Sequence, residues 1–189
     1  MLDAVIQPTW EYRYYSFNSK WAPRQQVASM RDGCGDDYFV LFTQDGAILK
    51  GYSHESSAAE HVVKHGRPLP GMFDGVPNVF AAFLQEPAFS IAQTTFCYWR
   101  THADRTWQTG RAQYPISADP NGAAALLAIL QGDPIRYANW AEDYYEKSID
   151  PAAVGRIYKQ EALTIELVHA LNPGITMQQL AADIAAIEY

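Results

Sequence analysis

Residues 30–56 read MRDGCGDDYFVLFTQDGAILKGYSHES, and this stretch decides the fold. It joins an acidic glycine turn, two apolar runs and a polar His54-Glu55-Ser56 exit. Asp45-Gly46 between the runs is a hairpin signal, because both central residues of a type I′ turn need positive φ. A two-residue loop there pairs Gln44 with Ala47, Phe42 with Leu49 and Val40 with Gly51, giving strands at 37–43 and 47–53. The other face carries Phe39, Leu41 and Thr43 against Tyr52, Lys50 and Ile48. Apolar residues on both faces put this hairpin inside a sheet, away from its edge.

Working outward, the aromatic run 10–17 predicts a strand and 24–30 a second one, feeding the loop 32–36. Downstream, 57–65 predicts a short helix capped by Ser56 or Ser57, and the Gly/Pro-rich 66–71 forces a loop. Pro77 suits the first position of a helix whose apolar face is Val79, Phe80, Phe83 and Leu84, and which Pro87 stops. Segments 94–101 and 105–109 form a second hairpin around His102-Ala103-Asp104.

The period changes from Asp119 onward. Residues 123–130 predict a compact apolar helix. Asp133-Pro134 and Asp150-Pro151 open two more, the first with a Tyr137, Trp140, Tyr144 stripe. Thr164 and Thr176 open the last two helices. Thr176 with Gln179 makes a capping box, and Met177, Leu180, Ile184 and Ile187 form the buried stripe of the final helix. The expected architecture is one α+β domain over 1–189, strand-rich at 9–117 and helical at 119–189, with an antiparallel sheet built from hairpins and packed with the helical C-terminal third.

Composition excludes several function classes. A net charge of −7, with 14 basic residues and no basic run, argues against nucleic acid, which binds proteins through clustered Lys and Arg. No apolar run approaches the roughly 18 residues of a membrane span, and the N-terminus has no signal-peptide pattern. Cys34 and Cys97 lack metal-type spacing and read as reduced thiols, so the expected location is cytoplasmic. Twelve Tyr, eight Phe and five Trp supply either core or a binding surface, since Tyr and Trp combine apolar area with a polar tip.

Candidate chemistry centres on His54, Glu55, Glu60, His61 and His65. His61 and His65, four apart on a helix, share a face as metal ligands require, and His54 or Glu55 offers a third donor. The HExxH signature is absent, and histidines at a helix end also sit in solvent near the negative dipole end. Asp32, Asp36 and Asp37 around two glycines fail the EF-hand spacing and read as a turn. Cys34, among three aspartates, lacks the positive environment that activates a thiol. No Gly-x-Ser-x-Gly elbow occurs. Gly33 and Gly35 precede a strand, which is not the dinucleotide-binding context. The two closing helices have a helix-turn-helix outline, yet the second carries no Lys or Arg to face DNA.

The run Met30-Arg31-Asp32-Gly33, Asp36-Asp37-Tyr38-Phe39, Gly46-Ala47, Lys50-Gly51-Tyr52 and His54-Glu55-Ser56 resembles a group of uncharacterised bacterial proteins. The closing Leu171-Asn172-Pro173-Gly174-Ile175-Thr176 with Asp183-Ile184 is similar to their C-terminal ends. Small acidic α+β proteins of this kind look like immunity proteins of bacterial toxin systems, and the resemblance implies no catalytic residues. The expectation is therefore a non-enzymatic protein-binding module without a cofactor, acting on a basic protein partner through Asp36, Asp37, His54, Glu55, Ser56 and Trp107. The alternative is a metal-dependent hydrolase using His54, Glu55, His61 and His65. A small-molecule sensor is a third class, with no residue arguing for it specifically.

Overall fold

The computed structural model describes residues 1–189, and its sheet follows chain order. Strands β1 (Tyr15–Ala22), β2 (Gln25–Arg31), β3 (Asp37–Thr43), β4 (Gly46–Tyr52), β5 (Phe96–Thr101) and β6 (Gln108–Thr109) lie side by side in that sequence. Each pair from β2 to β6 is antiparallel. With helices dominating the C-terminal part, the fold is α+β as expected. β3 and β4 are interior strands, which their two apolar faces require.

The hairpin register departs from expectation by two residues. Thr43 pairs with Gly46, Phe42 with Ala47 and Val40 with Leu49, so Gln44 and Asp45 make the turn. Neither has positive φ, whereas Gly46 has φ of 144°. A Cβ at Gly46 would collide with the carbonyl oxygen of Arg100 on β5. The glycine therefore serves the close approach of the next strand, and a type I′ turn does not form. Because the slip is even, every side chain keeps its expected face.

In chain order the helices are α1 (Leu2–Ile6), α2 (Ser57–His65), α3 (Ala81–Gln85), α4 (Ala123–Leu126), α5 (Pro134–Tyr145), α6 (Pro151–Tyr158), α7 (Ile165–Leu171) and α8 (Met177–Ile187). Two compact units divide the chain: residues 20–126 form one, and 1–19 with 127–189 the other. The expected strand at 10–17 is corrected to a 3-10 turn, Trp10–Tyr12, followed by β1. Arg13 donates to the carbonyls of Gln7 and Pro8 at 2.8 Å each, which curls the chain and delays the strand. The expected helix 123–130 breaks at Leu127, where the boundary between units falls. The helix expected from Pro77 begins as a 3-10 turn, Asn78–Phe80, before α3. That keeps Phe80 and Phe83 buried and leaves Val79 exposed.

In the sheet unit, one sheet face brings together Val27, Phe39, Leu41, Ile48, Cys97 and Trp99, packed with Met72, Phe80, Phe83 and Phe89. On the other face Gly51 lies opposite Phe96, and a Cβ at Gly51 would collide with the end of the Phe96 ring, 2.0 Å from its Cζ. Gly51→Ala is expected to destabilise the protein by about 1–3 kcal/mol through overpacking, and adding Phe96→Leu should recover part of the loss. Urea denaturation of the single and double variants measures both. Equal losses in the two would mean that the ring is not the obstacle.

The helical unit is built by its caps. The side chains of Asp133, Asp150 and Thr164 accept the N–H groups of Ile135, Ala152 and Leu167, and Thr176 with Gln179 completes the capping box. Its core gathers Val5, Ile6, Ala138, Ala141, Val154, Leu167, Val168 and Leu180. The stripe expected in α8 is buried at Leu180, with Met177, Ile184 and Ile187 at the margin of that core. Among these apolar groups Asp3 is buried. Its Oδ1 accepts the Tyr137 hydroxyl at 2.5 Å, and its Oδ2 accepts the Tyr145 hydroxyl at 2.7 Å and the Tyr15 N–H at 2.8 Å.

Candidate functional site

The open end of the β3–β4 hairpin holds most of the expected site residues. Asp32 Oδ1 accepts the backbone N–H groups of Cys34, Gly35 and Asp36 at 2.8–2.9 Å. This is the aspartate turn that the spacing predicts. Asp36 Oδ1 in turn accepts the His54 backbone N–H at 2.7 Å and lies 2.7 Å from its ring Nδ1. The Asp36 carboxylate bonded to its ring raises His54 above the ordinary imidazole value. Gly35 adopts a φ of 127°, a left-handed-side conformation that favours glycine, where the loop passes the His54 ring. Glu55 is 86% exposed in its side chain, with Oε1 3.9 Å from His54 Nε2.

Asp32, Asp36 and His54 bring their ligand atoms within 4.8 Å of one another. Asp32 Oδ1 and Asp36 Oδ1 are already saturated by N–H donors, so the trio reads as a strand connection. Asp36 with His54 has the form of an acid that orients an imidazole. Cys34, exposed in the same loop, joins this network through its backbone N–H.

The neighbouring residues are turned inward. Lys50, 0% exposed in its side chain, places Nζ 2.7 Å from Asp37 Oδ1 and 3.0 Å from the Gln93 carbonyl oxygen. The ammonium also stands 5.3 Å from the centre of the Phe39 ring. Burial lowers Lys50 and raises Asp37, while their mutual attraction works the other way in both. Across β4–β5, Lys50 faces Cys97, whose thiol burial pushes up to about 12. Such a thiol is inert at neutral pH. Ser56 is buried, and its hydroxyl donates to the Ser53 carbonyl at 2.8 Å. Of the expected binding residues, then, Asp36, His54 and Glu55 share one exposed end, whereas Asp37 and Ser56 are tied into the interior.

His61 and His65 meet on α2 with ring centres 4.4 Å apart. Both lie outside the Asp32, Asp36 and His54 trio, so the expected four-residue set divides into two pairs, His54 with Glu55 and His61 with His65. His61 Nε2 is buried with no hydrogen-bond partner in the protein. Burial, followed by the charge of His61, lowers His65.

Trp107 belongs to the opposite, turn end of the hairpin. Seven residues of β3, at roughly 3.3 Å each, separate the two ends by about 20 Å. Trp107 is 49% exposed and Phe42 39%. With Arg100, Thr101 and His102 they line an open groove of about 410 Å³. His102 Nε2 lies 2.8 Å from the Gln44 carbonyl oxygen, and Arg100 Nε donates to the Asp104 carbonyl at 3.2 Å. Asp104 accepts the N–H and hydroxyl of Thr101 at 2.8 and 2.7 Å, which holds its carboxyl below the usual range.

Trp107 is an expected binding residue, whereas its neighbours Phe42 and Arg100 are not among the expected ones. Alternation along β3 and β5 does place both on the same face, so that signal was present. Lys50 was also missed as a structural centre, although its position between Leu49 and Gly51 on an inward face marks it. No family model, curated protein or solved structure matches this chain.

Proposed function

We propose that the chain is a non-enzymatic module that binds another protein, with the Phe42, Arg100, His102 and Trp107 groove as its anchor site. The observation that carries this reading is the exposure of Trp107 and Phe42 beside Arg100 around one groove. Trp and Arg are the residue types most enriched among the anchors of protein interfaces. Two buried groups with nucleophilic potential point the same way, since Cys97 is held protonated and Lys50 is consumed by Asp37 and Gln93. The net charge of −7 and the exposed Glu55 favour a basic partner by accelerating encounter. A basic toxin neutralised by this protein is the form such binding takes under the resemblance noted above.

The test compares what the wild-type protein and Trp107→Ala retain from host lysate, followed by titration of the retained protein. Loss of an interface anchor costs about 2 kcal/mol or more, roughly 30-fold in affinity. The same basic protein should be depleted by Phe42→Ala, and its association should slow as salt rises. Equal retention by wild type and both variants would overturn the groove as the docking site.

A further inference from the structure

We propose that His61 and His65 form a two-imidazole site for a divalent transition-metal ion such as Zn²⁺, Ni²⁺ or Cu²⁺. Three of the five histidines are already engaged by protein oxygens. His54 bonds to Asp36, His102 to the Gln44 carbonyl and His169 to the Ile175 carbonyl. His61 and His65 face each other instead, four residues apart on α2 with ring centres 4.4 Å apart. That spacing brings two imidazoles onto one helix face, where both can bind one ion. His61 Nε2 is the buried side-chain polar atom that the fold leaves without a partner. Buried polar atoms are nearly always satisfied, and an exception calls for an explanation, of which a bound ion is one.

The surroundings select the class of ion. His65 lies in the last turn of α2, one turn after His61; Gly66 closes the helix in a left-handed conformation, and the carbonyl end of a helix favours positive charge. Lys64 and Arg67 act on His65 through space and oppose any cation. Imidazole nitrogen suits zinc, copper and nickel, whose bonds to it are short-range, whereas oxygen-seeking Mg²⁺ and Ca²⁺ gain nothing here. Two protein donors leave further coordination positions to solvent or to a donor on a bound partner. His65 is exposed, so such a donor can reach the ion.

The experiment is a Cu²⁺ titration of untagged protein, followed by electron paramagnetic resonance, on wild type, His65→Gln and His54→Gln. Wild type should take up one Cu²⁺ with a two-nitrogen signature. His65→Gln should reduce this to one nitrogen and weaken binding on the order of tenfold or more, since even supporting shells around a metal are worth 10–100-fold. His54→Gln should bind as wild type does. Because residue 65 is exposed, its replacement leaves folding intact, and a matching circular dichroism melt confirms that. Wild-type affinity in His65→Gln, a one-nitrogen signal in wild type, or loss of binding in His54→Gln would each overturn the site. Trp107→Ala keeps the metal signal if the two sites are distinct, so failure of the groove and failure of the histidine pair are told apart.

Discussion

Asp37→Ala is expected to cost the fold about 3–4 kcal/mol, because it strands the buried Lys50 ammonium without its counter-charge. Lys50 is fully buried, and Asp37 is 20% exposed in its side chain. What remains for Lys50 is the Gln93 carbonyl and the face of Phe39. The lysine can escape by losing its proton. At pH 7 that costs about 4.6 kcal/mol from an ordinary value near 10.4, which sets the ceiling on the penalty. The sign with pH follows. Burial holds Lys50 below its unfolded value, so folding the variant with a neutral amine becomes less costly as pH rises. At pH 9 the ceiling falls to about 2 kcal/mol. Lys50→Met should cost less, since Asp37 reaches solvent and keeps Arg31 nearby. The double variant Asp37→Ala with Lys50→Met should return to within about 1 kcal/mol of wild type. Urea denaturation at pH 7 and 9 gives the full cycle. Additive losses in the double variant would show that the pair is not coupled.

That ion pair separates what strand alternation dictates from what only the folded register supplies. Alternation along β3 and β4 places Lys50 and Phe39 on one face, and the even register slip leaves that face intact. The slip itself was hidden because Gly46 satisfies both explanations in sequence. A glycine after aspartate signals a turn, but here it yields room to Arg100, more than 50 residues later. The caps at Asp133, Asp150, Thr164 and Thr176 were legible because each bond is local. α1 escaped notice because five residues are too few to show a period, although all five are buried.

The candidate sites divide along the same line. The Asp32 and Asp36 turn is local and was read as a turn. Asp37 and Ser56, adjacent in sequence to exposed residues, face inward, and only the strand register and the Ser53 carbonyl reveal this. Trp107 and Asp36 are both expected binding residues, one in the second hairpin and the other in the loop before β3. The hairpin carries them to opposite ends of the sheet. The pairing of His61 with His65 follows from helix geometry alone. The orphaned ring nitrogen does not, since it depends on what covers the helix.

In the helical unit the largest single effect should come from Asp3→Ala. Three donors converge on this carboxylate, the hydroxyls of Tyr137 and Tyr145 and the N–H of Tyr15. Removing it orphans all three in a buried site, at about 1–3 kcal/mol for each donor that finds no substitute. Tyr145 also accepts the Tyr14 N–H at 3.0 Å, so its hydroxyl is already committed and cannot rotate freely to compensate. The expected loss is about 3–6 kcal/mol, or a fall in Tm of roughly 10 °C or more for a chain of this size. Asp3→Asn should also be harmful, because its NH2 group faces donors where the carboxylate oxygen accepted from them.

The pH dependence separates the carboxylate's charge from its shape. Burial, the largest cause, raises Asp3 above its unfolded value, despite the bonds that favour ionisation. The folded protein therefore holds this proton more firmly than the unfolded chain does. Its contribution is complete below the unfolded value near 3.9 and is lost as pH rises through the folded one. The stability difference between wild type and Asp3→Asn, which cannot titrate, should accordingly shrink as pH rises above about 4. A difference that grows over that range would mean that the three donors outweigh burial and hold Asp3 ionised.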